Sequence, residues 1–151
     1  MMIEKAKALF QKYKEVILYL IFGALTTAVD FGISFLLYRF WIDATPQISN
    51  LAFAFAVHAA DVVAWAAAVT FAFVTNRIWV FESKKQGFVP VAKELVGFAG
   101  GRVFTLLIQE GLMLIFVTWL GGNKYLFRIL AAGIVIVLNY VISKLVVFKN
   151  K

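Results

Sequence analysis

A few polar side chains stand inside long apolar stretches of the sequence: Asp30, Asn76, Arg102, Glu110, Arg128 and Asn139. A guanidinium at the centre of a membrane helix is uphill by about 3 kcal/mol. Its planar fork matches the oxygens of a phosphate. Arg102 therefore reads as a phosphate clamp open to the inner leaflet, or as half of an ion pair with Glu110, which shares roughly the same helix face. Arg128 lies about a turn inside its apolar segment. It reads as a second cation for the same anion, or as a long side chain that snorkels to headgroups. Asn76 and Asn139 can bond sugar hydroxyls or phosphate, or glue helices together. Asp30 is neutral, paired with a cation, or a proton carrier; pairing is the favoured reading, and Glu110 shares the ambiguity. Arg77 and Lys144, nearer the segment ends, suit anchoring on anionic lipid. His58 and Asp61 read as interfacial.

The surrounding composition decides what kind of chain holds these groups. Of 151 residues, 63% are hydrophobic and 15% charged, and the mean hydropathy is +0.89. Soluble domains are about 45–50% apolar and about 25% charged, and one core in a chain this short cannot hide the excess. That excludes a cytosolic enzyme domain and disorder. The net charge of +7 fits cationic flanks on an integral membrane protein better than nucleic-acid binding. There is no cysteine and a single histidine, so no thiolate or histidine-based metal site and no cysteine nucleophile is expected. Gly97, Gly100 and Gly101 do not match a nucleotide loop, and no P-loop occurs. We expect no catalysis, no cofactor and no metal.

Four segments are long enough to cross about 30 Å of hydrocarbon: about 16–38, 62–81, 95–120 and 125–148. Residues 50–60 are apolar too, but joined to the second span they make a helix of roughly 48 Å at about 1.5 Å per residue. A break near His58–Asp61 is therefore expected, with a short interfacial or re-entrant helix before it and Asp61 capping the span that follows. Lys5, Lys7, Lys12, Lys14, Lys84, Lys85, Lys93, Lys149 and Lys151 flank one side of these spans, against Arg39, Lys124 and Arg128 on the other. That asymmetry puts both termini and the middle loop in the cytoplasm. Aromatic residues fall at both interfaces: Tyr13, Tyr19, Trp79, Phe81 and Phe148 inside, and Tyr38, Phe40, Trp41, Trp119, Tyr125 and Phe127 outside. The fold class is thus all-α, an integral membrane protein of four transmembrane helices.

The chain also repeats itself. Phe73-Val-Thr-Asn-Arg-Ile-Trp-Val-Phe81 closes the second span, and Tyr140-Val-Ile-Ser-Lys-Leu-Val-Val-Phe148 closes the fourth. An aromatic, an amide or hydroxyl (Asn76, Ser143), a cation (Arg77, Lys144) and a final Val-Phe recur in order. At the entries, Lys14-Glu15 matches Lys93-Glu94, Tyr19 matches Phe98, Thr26 matches Thr105 and Asp30 falls opposite Gln109. The halves, about 14–82 and 93–149, then form a tandem two-helix repeat, parallel because each half has an even number of spans. Many transporters place their site between repeats.

Phe22-Gly-Ala-Leu-Thr-Thr-Ala-Val-Asp30, with the two repeated exits and Asn139-Tyr140, resembles the GtrA-like family of small four-helix membrane proteins over about residues 14–149. The resemblance implies one GtrA-like transmembrane domain that flips a polyprenyl-phosphate-linked monosaccharide, such as an undecaprenyl phosphate sugar, across the bacterial cytoplasmic membrane. The sugar would then glycosylate a cell-surface polysaccharide or teichoic acid. Asn76, Val80, Phe81, Phe98, Arg102, Asn139 and the cation at 128 carry over from the family pattern. At that last position the family has lysine, and Arg128 keeps the charge but not the geometry. Val80, Phe81 and Phe98 would pack the isoprenoid tail or simply the core. The insertion at 50–60 is a second departure.

Two other functions compete: a non-transporting anchor for a partner glycosyltransferase, and a small proton-coupled efflux pump. Cations inside the spans favour an anionic substrate and count against a cation exporter. The expected partners are the polyprenyl-phosphate-linked sugar lipid, membrane lipids, glycosyltransferases of the same pathway and further copies of the chain, with no nucleic acid. Because the chain has no cysteine, topology can be read from introduced ones. Cysteines at the N-terminus, near Lys85 and near Lys151 should resist an impermeant thiol reagent in intact cells, and one near Gly122 should react. Labelling near Lys85 from outside would overturn the orientation.

Overall fold

The computed structural model describes residues 2–43 and 49–149, with side chains from Gln11 onward except those of Asn50 and Ala54. Lys5 and Lys7 as side chains, and Lys151 altogether, lie outside that description. The described residues form four long helices and no strand: α1 (Met2–Leu37), α2 (Asn50–Thr75), α3 (Phe88–Met113) and α4 (Lys124–Ile142). This is the architecture that hydrocarbon demands, since every backbone donor and acceptor must be satisfied within the segment. Each helix continues into a widened π-helical turn, at Tyr38–Ile42, Asn76–Val80, Leu114–Trp119 and Ser143–Val147. The lengths and apolar character suit four membrane spans, Gln11–Ile42, Leu51–Val80, Phe88–Trp119 and Lys124–Val147.

The first three spans are longer than expected, most of all the second, while the fourth keeps its expected length. The expected break at His58–Asp61 does not occur: α2 is one continuous helix. Residues 50–60 contain no glycine or proline to stop it. The cap is Ser49, whose hydroxyl accepts from the Ala52 amide at 3.3 Å, and not Asp61. Asp61 instead accepts a hydrogen bond from the hydroxyl of Tyr38, the first residue of the π turn after α1, which gives a mid-helix carboxylate a partner. A span of 30 residues is about 45 Å long. It must tilt in the bilayer or project from it.

Contacts divide the chain into two compact units between Glu82 and Ser83, each a helical hairpin. In the first, Ala60, Ala64, Ala68 and Ala72 recur every fourth residue on α2 and are buried. Small side chains let helices approach closely where packing rather than the hydrophobic effect drives association. The basic end closes on aromatic rings: Tyr19 against Phe81 at 6.3 Å between centroids, and Phe22 stacked on Trp79 at 5.5 Å. Lys14 and Glu82 pair beside them at 2.8 Å, exposed and thus worth little.

In the second hairpin glycine does what alanine does in the first. A Cβ on Gly101 would lie 2.9 Å from Ile142 Cγ2, whereas Gly100 faces open space. The turn needs a left-handed residue at Gly121, with φ +65°. Asn123 then caps α4, its side-chain oxygen accepting from the amides of Tyr125 and Leu126 at 3.0 and 3.1 Å. Phe116 and Phe127 stack beside this turn at 5.0 Å. At the basic end Phe98 meets Phe148 at 6.1 Å. Glu94, buried, accepts from the Ser83 hydroxyl at 2.7 Å and pairs with Lys85 at 3.4 Å.

Several residues expected at lipid interfaces are therefore internal. Tyr19, Phe81 and Phe148 are buried in the ring pairs, while Tyr13, Phe40, Trp41, Trp79, Trp119 and Tyr125 remain exposed. Gly101→Ala should destabilise the detergent-solubilised protein by about 1–3 kcal/mol, as overpacking does. Gly100→Ala should fall within about 0.5 kcal/mol of the parent. Thermal unfolding of the two side by side checks this, and equal stabilities would contradict the close contact.

Candidate functional site

The polar groups that the sequence singled out are not all alike once placed. In the second hairpin, α3 carries Arg102 and Thr105 one turn apart, and α4 brings Asn139 to the same seam. The Thr105 hydroxyl donates to Asn139 Oδ1 at 2.9 Å, inside the seam. With its carboxamide oxygen so engaged, the Asn139 amide nitrogen donates to no other side chain or carbonyl among the described residues. The Arg102 guanidinium lies over the Phe98 ring, 5.1 Å from its centroid. Its Nε is buried without a hydrogen-bond partner.

This arrangement is electrostatically incomplete. A desolvated cation–π contact returns about 2 kcal/mol, less than the cost of about 3 kcal/mol for a guanidinium within the bilayer. An unpaired buried donor adds its own desolvation penalty of about 1–3 kcal/mol. The ion pair with Glu110, the alternative reading of Arg102, is absent among the described residues. Glu110 is exposed and borders an open cleft with Gly111, Met113, Leu114 and Thr118. The seam thus offers a cation and two unengaged donor groups, chemistry that suits an anion with several oxygens.

Because α3 begins at Phe88, Arg102 stands about 21 Å along the helix from its start. Arg128 sits about one turn into α4, exposed and without an ion pair among the described residues. Its position is that of a cation reaching headgroups or an arriving anion.

In the first hairpin Asn76 is buried, its Nδ2 donating to the Ala72 carbonyl at 2.7 Å, while its Oδ1 has no partner. Asp30 is half-buried on α1, and the expected pairing with a cation is not found among the described residues. Its charged neighbour is Asp61. Arg77 is half-buried near the basic end. Lys144, in the second hairpin, donates to the Tyr140 hydroxyl at 3.0 Å and lies over that ring. Val80, Phe81 and Phe98 are 4%, 0% and 2% exposed. All three are buried within their hairpins. Among the described residues no three His, Asp or Glu side chains converge as metal ligands would.

Sequence reasoning passed over two residues here. Thr105 was visible as the counterpart of Thr26, but nothing in one sequence says that its hydroxyl meets Asn139 across the hairpin. Glu94 was visible only as part of a matching Lys-Glu entry, with no sign that it would be buried.

Comparison with known proteins identifies the family of the chain. Residues 18–148 match the sequence model of the family described as "GtrA/DPMS, transmembrane domain". A membrane protein of Bacillus subtilis, YwcD, is 36% identical over 133 residues, 88% of this chain and 95% of its own length. The cell wall teichoic acid glycosylation proteins GtcA of Listeria monocytogenes serovar 1/2a and Listeria innocua serovar 6a are 32% and 31% identical. They cover 90% and 89% of this chain, and 86% and 84% of their own lengths. No solved structure matches the chain. With four membrane-spanning helices arranged as two hairpins, and with a family match over nearly its whole length, the chain belongs to the GtrA/DPMS transmembrane domain family.

Proposed function

We propose that this protein takes part in glycosylating a cell-wall polymer such as teichoic acid, by carrying a polyprenyl-phosphate-linked monosaccharide across the cytoplasmic membrane. The observation that carries the reading is the buried Arg102 Nε without a partner, in the same hairpin as an Asn139 amide held by Thr105. A phosphate diester supplies the oxygens that both lack. The similarity to proteins named for cell wall teichoic acid glycosylation supplies the pathway.

Both termini face the cytoplasm in this reading, so the basic end meets the inner leaflet. Antiparallel pairing puts Arg128 nearer the outer surface. Arg102 lies about 25 Å of helix from Trp119 and Arg128 about 6 Å from Lys124, so roughly 20 Å of axis separates them. The phosphate is received by one cation and passed toward the other while the prenyl tail stays in lipid. Neither cation binds too tightly, the condition that conduction through multi-site pores also obeys. A tandem repeat of the hairpin is supported by paired features: an aromatic contact and a phenylalanine-closed π turn at the basic end of each unit. Glycosyltransferases that load and unload the lipid, and further copies of the chain, complete the assembly.

Arg102→Ala or Arg128→Ala should abolish glycan modification in cells that depend on this chain, with the variants still inserted at parental levels. Arg128→Lys, which restores the family's residue, should retain most of the activity. Full modification by a well-expressed Arg102→Ala, Arg128→Ala double variant would overturn the phosphate relay and favour a non-transporting anchor for a glycosyltransferase.

A further inference from the structure

Asn139 has two chemically opposite faces, an oxygen that accepts and an NH2 that donates. Which of them meets a ligand decides what the ligand can be. Inside the α3–α4 seam that choice is made by a single neighbour. Thr105 is 1% exposed, and its hydroxyl reaches Asn139 Oδ1 at 2.9 Å and the Arg102 carbonyl oxygen at 3.1 Å. A hydroxyl has one proton to donate, and the carboxamide oxygen is the nearer acceptor. The Arg102 carbonyl is the alternative, so the proton can swing away without being left unpaired. The amide is therefore oriented without being locked.

We infer that Thr105 is the positioning residue of the anion site: it engages the carboxamide oxygen of Asn139 and so presents the NH2 group to a phosphate oxygen, in the same hairpin as the Arg102 guanidinium. This rests on the reading of Arg102 and Asn139 as the anion site. It adds that the site selects for acceptors, phosphodiester oxygens before sugar hydroxyls. It also makes a threonine that bears no charge, and touches no ligand, a determinant of affinity. Valine at this position keeps the shape and loses the hydroxyl, which frees the carboxamide to rotate and leaves its oxygen unpaired.

The test titrates the full-length, detergent-solubilised protein with a short-chain polyprenyl phosphate and follows thermal unfolding. A ligand that binds only the folded state raises the melting temperature as its concentration exceeds the dissociation constant. Thr105→Val should raise the half-saturating concentration about tenfold, the factor that corresponds to about 1.4 kcal/mol. Thr105→Ser should stay within about threefold of the parent. Thr105→Ala serves if the valine variant does not fold. A purely structural threonine would instead lower the unliganded melting temperature and leave the half-saturating concentration alone. Asn139→Asp, which has no donor to present, should bind as poorly as Asn139→Ala.

Three outcomes overturn the inference, and they are distinguishable. Parental affinity in both hydroxyl-free variants, with affinity lost in Asn139→Ala, refutes Thr105 and spares the anion site. Parental affinity in Asn139→Asp shows that the oxygen faces the ligand. No stabilisation of the parent by the probe removes the anion site itself, and the inference with it.

Discussion

A half-buried guanidinium within an apolar helix, its Nε buried and unpaired, is the constraint on which the rest of this structure depends. Hydrocarbon offers that Nε no water, so the groups within reach either offset the charge or leave it unsatisfied. Phe98 supplies one aromatic face, 5.1 Å from ring centroid to guanidinium carbon. Phe98 in turn is held by Phe148, the residue that closes the π turn at the end of α4. The cation is thereby tied to the packing of the whole basic end of its hairpin. What remains unmatched is one buried N–H, a polar deficit that a soluble protein would fill with water.

Close helix approach makes that geometry possible. Gly101 stands next to Arg102 in sequence and lets Ile142 of α4 come within contact of the α3 backbone. Only with the helices this near can Thr105 and Asn139 bond directly across the seam. The first hairpin reaches a comparable closeness with alanines at 60, 64, 68 and 72, and there Asn76 bonds its own helix rather than its partner. The two hairpins thus share an architecture but not a polar interior. The cation lies in one of them, the carboxylates Asp30 and Asp61 in the other.

The sequence made the four spans and the all-α class legible, because long apolar runs leave few alternatives in a chain this short. It also made Arg102 and Asn139 legible as candidates, since a charge or amide in such a run is conspicuous. The extent of α2 was not legible. Bilayer thickness argued for a break at His58–Asp61, while the local residues had no helix breaker, and local propensity won. Nor could spacing along one helix reveal contacts across two. Glu110 lay at a plausible spacing from Arg102 and forms no ion pair with it among the described residues, whereas Thr105, uncharged and noted only as the match of Thr26, holds the amide. Burial of Phe81 and Phe98 was equally hidden, because an aromatic near a span end looks alike whether it faces lipid or its own hairpin.

The proposed passage of a phosphate-linked headgroup through the bilayer can be followed with the purified protein reconstituted in vesicles, with a polyprenyl-phosphate-linked sugar distributed in both leaflets. An impermeant reagent that modifies the sugar headgroup reports how much lipid is exposed over time. Facilitated exchange predicts that vesicles containing the protein expose nearly all of the lipid, while protein-free vesicles stop at the outer leaflet's share. Modification that halts at the outer leaflet in both would contradict transport.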